Sequence, residues 1–420
     1  MRPGEGGRPD VCRQLLGQLP GCEGLEPELR AALRYFGLDE AGLERAALLL
    51  PRHFELNYEG LRRLLAEYVR EALEAFSAGQ GRYCELSVPA PPVFAQALRL
   101  SAGGGLRFGS RALALQVLLR AVLLSRRPLG GQEGPGPRCG LNLMRRRLLC
   151  PPFEPPELVL QFGLLCGDCI RACEGLPGRA AVLDLCLNGE AGRDFAWLAS
   201  RFEGFGAEAA RALGIRAPGP DELRAASKLA AAGLRLQSRL LELNARPDRR
   251  PLRGTGLSLA QTAQLMCFAE PERALAALEL LCRELEDAPA AEPGRTRLYC
   301  FYAPLTLPEL ELGFYERGYD LLGSAAFLYG FRQLGTGLGG LSAAWLKAMG
   351  LAGPPEELCR AAAREARRSG CRACLSGGFA CPMGGAGGAY SRVLEEEYGL
   401  PVRELDYDFW CERRAGQDIC

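Results

Sequence analysis

The sequence predicts an α/β protein: two α/β lobes with parallel sheets, joined by a helical segment and preceded by an N-terminal helical region. Three observations carry that expectation. Strand-like and helix-like segments alternate over residues 158–186 and again from residue 297, the β–α–β rhythm of parallel sheets. Between these stretches, and near the N-terminus, apolar residues recur at helical spacing. The chain has 420 residues, 48% hydrophobic and 24% charged, enough apolar material for roughly two or three domains. The division read from the sequence is a helical region over 1–80, a first lobe over 81–215, a helical connector over 216–294 and a second lobe over 295–420.

In chain order, residues 57–78 form a helix with Leu61, Leu64, Leu65, Tyr68, Val69, Ala72, Leu73 and Phe76 on one face, ended by Gly79. A short strand over 82–88 is closed by Pro89, Pro91 and Pro92. Apolar helices over 93–100 and 111–124 flank the glycines at 103–105, and a Gly/Pro loop over 126–137 leads into Cys139. After a short helical run over 141–149 and a Pro-rich corner at 151–156, the apolar run 158–165 reads as a buried strand that delivers Cys166. A helix through Cys169 and Cys173 leads to a strand over 180–186. The connector holds helices over 221–244 and 272–287, each preceded by proline. In the second lobe strands are expected over 297–302, 319–328, 371–380 and 401–407, with helices over 307–317, 355–368 and 390–398. The glycines at 335, 337, 339 and 340 read as a loop, and no internal repeat is visible.

Basic and acidic residues number 51 and 50, so no strong field draws the protein to nucleic acid or to a lipid surface. No run approaches the roughly 18 apolar residues of a membrane span, and the opening seven residues lack the apolar core of a signal peptide. A cytoplasmic location is therefore expected, where thiols stay reduced. The anomaly is 18 cysteines beside one histidine, His53. That nearly excludes His-based zinc sites and leaves any Cys–His or Ser–His pair dependent on His53, which has no partner motif and reads as structural.

Three cysteine groups stand apart: Cys139 after its loop, Cys166-Gly167-Asp168-Cys169 with Cys173 beyond, and Cys371-Arg372-Ala373-Cys374 with Cys381. Open α/β sheets place ligands beyond the carboxyl ends of their strands. Cys166 and Cys381 hold such positions in different lobes, which points to a cluster between the lobes. Thiolates with almost no imidazole suit zinc or iron–sulfur. An isolated CxxC reads equally well as two thiols, one of them packed in a core. Cys12, Cys22, Cys267, Cys282 and Cys359 read as core residues. The run Gly384-Gly385-Ala386-Gly387-Gly388 fits a phosphate cradle, a set of N–H donors to cluster sulfurs or a tight connection.

From about residue 80 to its C-terminus the chain resembles the subunits of the 2-hydroxyacyl-CoA dehydratases and benzoyl-CoA reductases, the 2-hydroxyglutaryl-CoA dehydratase D-component among them. The residues that carry the resemblance are Phe379-Ala380-Cys381-Pro382, Gly399-Leu400-Pro401-Val402, Leu405-Asp406-Tyr407-Asp408 and Gly416-Gln417 in the last lobe. Upstream they are Pro156-Glu157-Leu158-Val159-Leu160 before Cys166, and Cys139-Gly140-Leu141. The strand before Cys381 departs from the family in carrying Cys371, Arg372 and Cys374, and residues 1–80 match nothing specific in it.

The resemblance implies two α/β lobes holding a [4Fe-4S] cluster on Cys139, Cys166 and Cys381, with Cys169 and Cys374 as lesser candidates for ligands. It further implies an acyl-CoA substrate, a companion dehydratase subunit in a homo- or heterodimer, and a separate ATP-dependent iron–sulfur activator protein that injects one electron. The activity implied is that of a lyase of anaerobic metabolism. One-electron reduction of a 2-hydroxyacyl thioester gives a ketyl radical that expels the neighbouring hydroxyl and acidifies the β-proton. A cluster with three protein ligands leaves one iron open as a Lewis acid. Two other expectations are a double-cubane-type reductase or electron-transfer protein with extra ligands among Cys169, Cys173, Cys371 and Cys374, and a non-catalytic cysteine-rich paralogue that binds zinc or nothing.

Overall fold

A computed structural model of the chain describes residues 10–77, 81–88, 90–125, 140–163, 173, 180–185, 194–263, 268–301, 308–323, 336–348, 355–377 and 387–405. The N-terminal helices are α1 (Val11–Leu16), α2 (Glu26–Phe36), α3 (Glu40–Phe54) and α4 (Glu59–Leu73). The first lobe holds β1 (Tyr83–Leu86), α5 (Pro92–Ser101), β2 (Arg107–Gly109), α6 (Arg111–Gln116), α7 (Gly140–Arg147), β3 (Leu158–Gly163), β4 (Ala180–Asp184) and α8 (Phe195–Leu213). The connector holds α9 (Pro220–Asn244), α10 (Gly254–Thr262) and α11 (Pro271–Glu286). The second lobe holds β5 (Thr296–Phe301), α12 (Pro308–Glu316), β6 (Tyr319–Leu322), α13 (Gly337–Ala348), α14 (Pro355–Arg368), β7 (Ala373–Gly377), α15 (Gly387–Glu396) and β8 (Val402–Leu405).

Helix α4 shows why the helical regions coalesce. Its stripe of Leu61, Leu64, Leu65, Tyr68, Val69 and Ala72 is buried, as the 3.6-residue spacing requires. No side chain of its own caps its first turn. Instead the Glu59 and Gly60 amides donate to the Glu284 carboxylate of α11 at 2.7 and 2.8 Å. At that crossing a Cβ on Gly60 would lie 2.6 Å from Leu281 Cα and 2.7 Å from the Ala277 carbonyl, so the helices meet backbone to backbone. A second tie is Glu55, at the end of α3, which accepts from Arg250 Nη2 at 3.0 Å and from the Arg253 amide at 2.6 Å. The N-terminal region and the connector thus share one apolar core.

Both sheets are four-stranded and wholly parallel. The first runs β2-β1-β3-β4 and the second β6-β5-β7-β8. Within each lobe this is the same order, second-first-third-fourth. The sequence shows no repeat because this topology demands only alternating burial and crossover lengths, not matching residues. A second core spans both sheets, gathering Cys84, Leu86, Leu160 and Phe162 from the first and Tyr299, Leu322 and Cys374 from the second. Within it Phe94 and Phe205 stack and Phe162 meets both edge-on, with ring centroids 5.3–5.5 Å apart.

Several expectations are corrected by the structure. The glycines at 337–340 open helix α13 instead of a loop. A Cβ on Gly339 would overlap the Ala199 carbonyl oxygen and sit 2.9 Å from its carbon, so glycine here permits close packing on α8. The Gly339 amide donates to Glu203 of α8 at 2.7 Å. The expected helix over 111–124 changes to π-helical winding over Val117–Val122 and ends where Leu124 takes φ 52°. Strand β2 and helix α10 have no counterpart in the sequence reading, being a three-residue edge and a nine-residue helix whose residues Thr255–Thr262 are all buried, so that no amphipathic stripe marks it. Strand β6 stops at Gly323, φ 70°, whose missing side chain admits the Tyr299 ring. Among the described residues no helix is long and apolar enough to cross a membrane.

Candidate functional site

Strand alternation gives the first sheet two unlike faces. Cys84, Leu86, Leu158, Leu160 and Phe162 face the shared core. Tyr83, Glu85 and Gln161 face the other way, toward α6 and α7, and all three are buried. Buried parallel strands are normally apolar on both faces. A polar layer under α6 and α7 is therefore a departure from what stability alone selects.

Within the layer, Glu85 is held by three donors. Tyr83 Oη and the Arg111 amide donate to its Oε2 at 2.7 and 3.1 Å, and the Ala112 amide to its Oε1 at 3.2 Å. The carboxylate thus caps the N-terminus of α6. Burial pushes the Glu85 pKa up, opposed by the charge of Arg145, the Tyr83 hydrogen bond, the Ala112 amide and Arg111. The Arg111 guanidinium lies 3.6 Å over the Tyr83 ring. Glu71 of α4 reaches the same layer, its tip filling the space left by Gly109 of β2. Burial raises its pKa to about 8, so it stays protonated at neutral pH.

Arg145, one turn into α7 beyond Asn142, is 1% exposed. Its Nη1 donates to Asn142 Oδ1 at 2.6 Å and to Gln161 Oε1 at 3.0 Å. Gln161 Oε1 also accepts from the Cys173 thiol at 3.6 Å. Burial raises the Cys173 pKa, and the Arg145 charge works against that rise. Among the described residues Arg145 Nε, Arg145 Nη2 and Gln161 Nε2 have no hydrogen-bond partner.

The cysteines singled out from the sequence are distributed unevenly about this frame. Cys139, Cys166, Cys169 and Cys381 lie outside the described residues. Their neighbours in the chain are described: Cys139 directly precedes α7, and Cys166 and Cys381 follow β3 and β7 by three and four residues. Those are spans of at most about 11 and 14 Å of extended chain. Strands β3 and β7 occupy the same slot in their sheets, beside the strand at which the order reverses. Such reversals are where open α/β sheets bind ligands.

Cys374 sits near the start of β7, paired with Tyr299 and Val402, fully buried in the shared core. Burial pushes its thiol up to about 12, and that of Cys371 likewise, so neither is a ready thiolate. Cys12, Cys22, Cys282 and Cys359 are core thiols as their helical settings suggested, and Cys267 lies outside the described residues. His53 is buried at the end of α3. Among the described residues no three His, Cys, Asp or Glu side chains group as a metal site. The sequence reading missed Arg145, Gln161 and Glu85. The signal for two of them was present: Gln161 interrupts the apolar run 158–165, and Glu85 stands in a strand closed by prolines.

No model of a known protein family matches the chain, and no curated protein matches it.

Proposed function

We propose that the chain is the iron–sulfur subunit of an ATP-activated radical 2-hydroxyacyl-CoA dehydratase, or of a related acyl-CoA reductase, acting on an acyl-CoA thioester. The observation that carries this reading is the common slot of β3 and β7, each followed within four residues by a cysteine. The resemblance from residue 80 onward assigns the ligands to Cys139, Cys166 and Cys381. The polar layer supports it too. Arg145 Nε, Arg145 Nη2 and Gln161 Nε2, three buried donors without acceptors among the described residues, suit a resident anion, which a thiolate-ligated cluster is. When bound, a [4Fe-4S] cluster on three cysteines supplies one electron to the thioester and an open iron to polarise its oxygen.

The remaining work falls to the polypeptide. The shared core gathers Phe162 of β3 and Cys374 of β7 into one buried interior. The bond from Arg145 to Gln161 ties α7, and with it the residue that follows Cys139, to β3. Electron delivery comes from an ATP-dependent activator, and a companion subunit completes the enzyme. Cys371 and Cys374, extra ligands that a double cubane would recruit, are protonated core thiols, which favours a single cluster.

The deciding experiment is anaerobic purification with iron, sulfide and zinc analysis. About four irons per chain is expected for one cubane. About eight would replace this reading with the double-cubane reductase, and zinc without iron would replace it with a non-catalytic role.

A further inference from the structure

The geometry points to a binding site for a short-chain primary alcohol, in a crevice where the first lobe, the connector and the second lobe meet. It is independent of the function proposed above. The crevice has a volume of about 60 Å³ and lies between α5, α9 and α11, closed at its inner end by Trp345 of α13 and by Phe268. Both rings are buried, whereas Gly233 of α9 and Leu275 of α11 are half-buried at its mouth. At roughly one non-hydrogen atom per 10–15 Å³, the space holds about four or five such atoms.

Gly233 stands in the middle of the 25-residue helix α9. A Cβ there would meet Leu275 Cδ2 at 3.5 Å, an ordinary contact, so helix packing does not demand glycine. Glycine inside a helix is less stable than alanine. What its missing side chain does is leave the mouth open.

The lining sets the chemistry. One turn beyond Gly233, the crevice residue Gln237 is 1% exposed. Its Nε2 donates to the Ala260 carbonyl of α10 at 2.7 Å, while its Oε1 has no hydrogen-bond partner among the described residues. Gln96 of α5, 2% exposed, adds a second carboxamide to the lining and accepts from Arg99 Nε at 2.6 Å. Packing alone would favour apolar side chains at two such buried positions. No charged side chain lines the crevice, so a charged ligand would lose its hydration with nothing in exchange. An unpaired carbonyl oxygen calls for a donor, apolar walls for a hydrocarbon body, and the volume for a short one. A chain of three or four carbons ending in a hydroxyl meets all three requirements. Its occupancy would fasten α5, α9, α11 and α13 to one another, which makes it an effector of how the lobes are held.

The test uses the full chain and 1-butanol as probe, followed by tryptophan fluorescence and by amide hydrogen exchange at concentrations that leave the circular dichroism unchanged. Saturable binding in roughly the millimolar range is expected, with the fluorescence change lost in Trp345→Phe and exchange slowed in α5, α9 and α13. Butylammonium should not bind, and 1-fluorobutane, which has the shape without the donor, should bind about fivefold more weakly. Gln237→Met should remove that fivefold preference. Gly233→Leu should block the crevice, and Gly233→Ala, which the 3.5 Å contact tolerates, carries the test by weakening the affinity if the leucine variant does not fold. A response that stays linear in butanol, or that persists unchanged in Trp345→Phe and Gly233→Ala, overturns the site and leaves the crevice to water. Equal affinity for 1-butanol and 1-fluorobutane overturns the choice of an alcohol.

Discussion

Glu71 makes the chain's stability depend on alkaline pH. Its carboxyl is buried where α4 meets β2, and desolvation raises its pKa from 4.5 to about 8; Glu74 and Glu85 add to the rise, while Arg111 and the Ala269 amide oppose it. The unfolded chain loses this proton near pH 4.5, whereas the folded chain keeps it to about pH 8. The contribution to stability is therefore complete below the unfolded value and is lost as pH rises through the folded one. Integrated across that window, the shift corresponds to about 5 kcal/mol. Between pH 6 and 9, where the folded group titrates, the loss is about 2.7 kcal/mol. Glu71→Gln keeps the shape and an oxygen to accept from Ala269, but cannot ionise. Urea unfolding at half-unit steps from pH 6 to 9 should show a shallower decline for Glu71→Gln by about that amount. An identical decline in the two proteins would refute the assignment of a neutral Glu71. Glu311, whose pKa burial also raises to about 8, provides a parallel variant, Glu311→Gln, with the same sign.

Three further outcomes are expected. Alanine at Cys139, Cys166 or Cys381 should each abolish iron binding, since two thiolates hold a cubane poorly, whereas Cys282→Ala and Cys374→Ala should retain full iron by colorimetric assay. Gly60→Ala and Gly339→Ala each drive a Cβ into backbone of the facing helix and should cost at least about 1–3 kcal/mol in denaturant unfolding; wild-type stability in either would disprove the close crossings. Sustained turnover of an acyl-CoA should need both a companion subunit and an ATP-dependent activator. Multiple turnovers from the purified chain with a chemical reductant alone would contradict that dependence.

The sequence was most informative where burial is one-sided or complete. The stripe of α4, the apolar run of β3 and the proline starts of α9 and α11 predicted their elements within a few residues. It was least informative where a residue acts through a distant neighbour. Gly337–Gly340 looked like a loop because the carbonyl that excludes a side chain at Gly339 lies on α8, some 140 residues earlier. Arg145 stands in an Arg145-Arg146-Arg147 run that reads as a solvated helix end, yet it is the one of the three fully enclosed by α7 and β3. The CxxC at 371–374 illustrates the opposite error. Spacing suggests ligands, but strand β7 turns Cys374 into the apolar interior, where its thiol stays protonated. The ligand thiols expected at Cys139, Cys166 and Cys381 lie outside the described residues, so the frame around them is what structure adds.

Helix α13 belongs by chain order to the second lobe, yet it lies along α8 and α5 of the first. Leu338 fills the gap left by Gly206, beside the Phe94 ring, and Trp345 is enclosed in the same interior. The second lobe consequently cannot complete its own interior. A fragment beginning at residue 295 would leave that helix face bare, and a fragment ending before it would leave α8 bare in turn. Truncation at the apparent lobe boundary should yield aggregating halves, and coexpression of the two pieces should restore solubility through fragment complementation. The protein is assembled like a clasp, in which neither side closes alone.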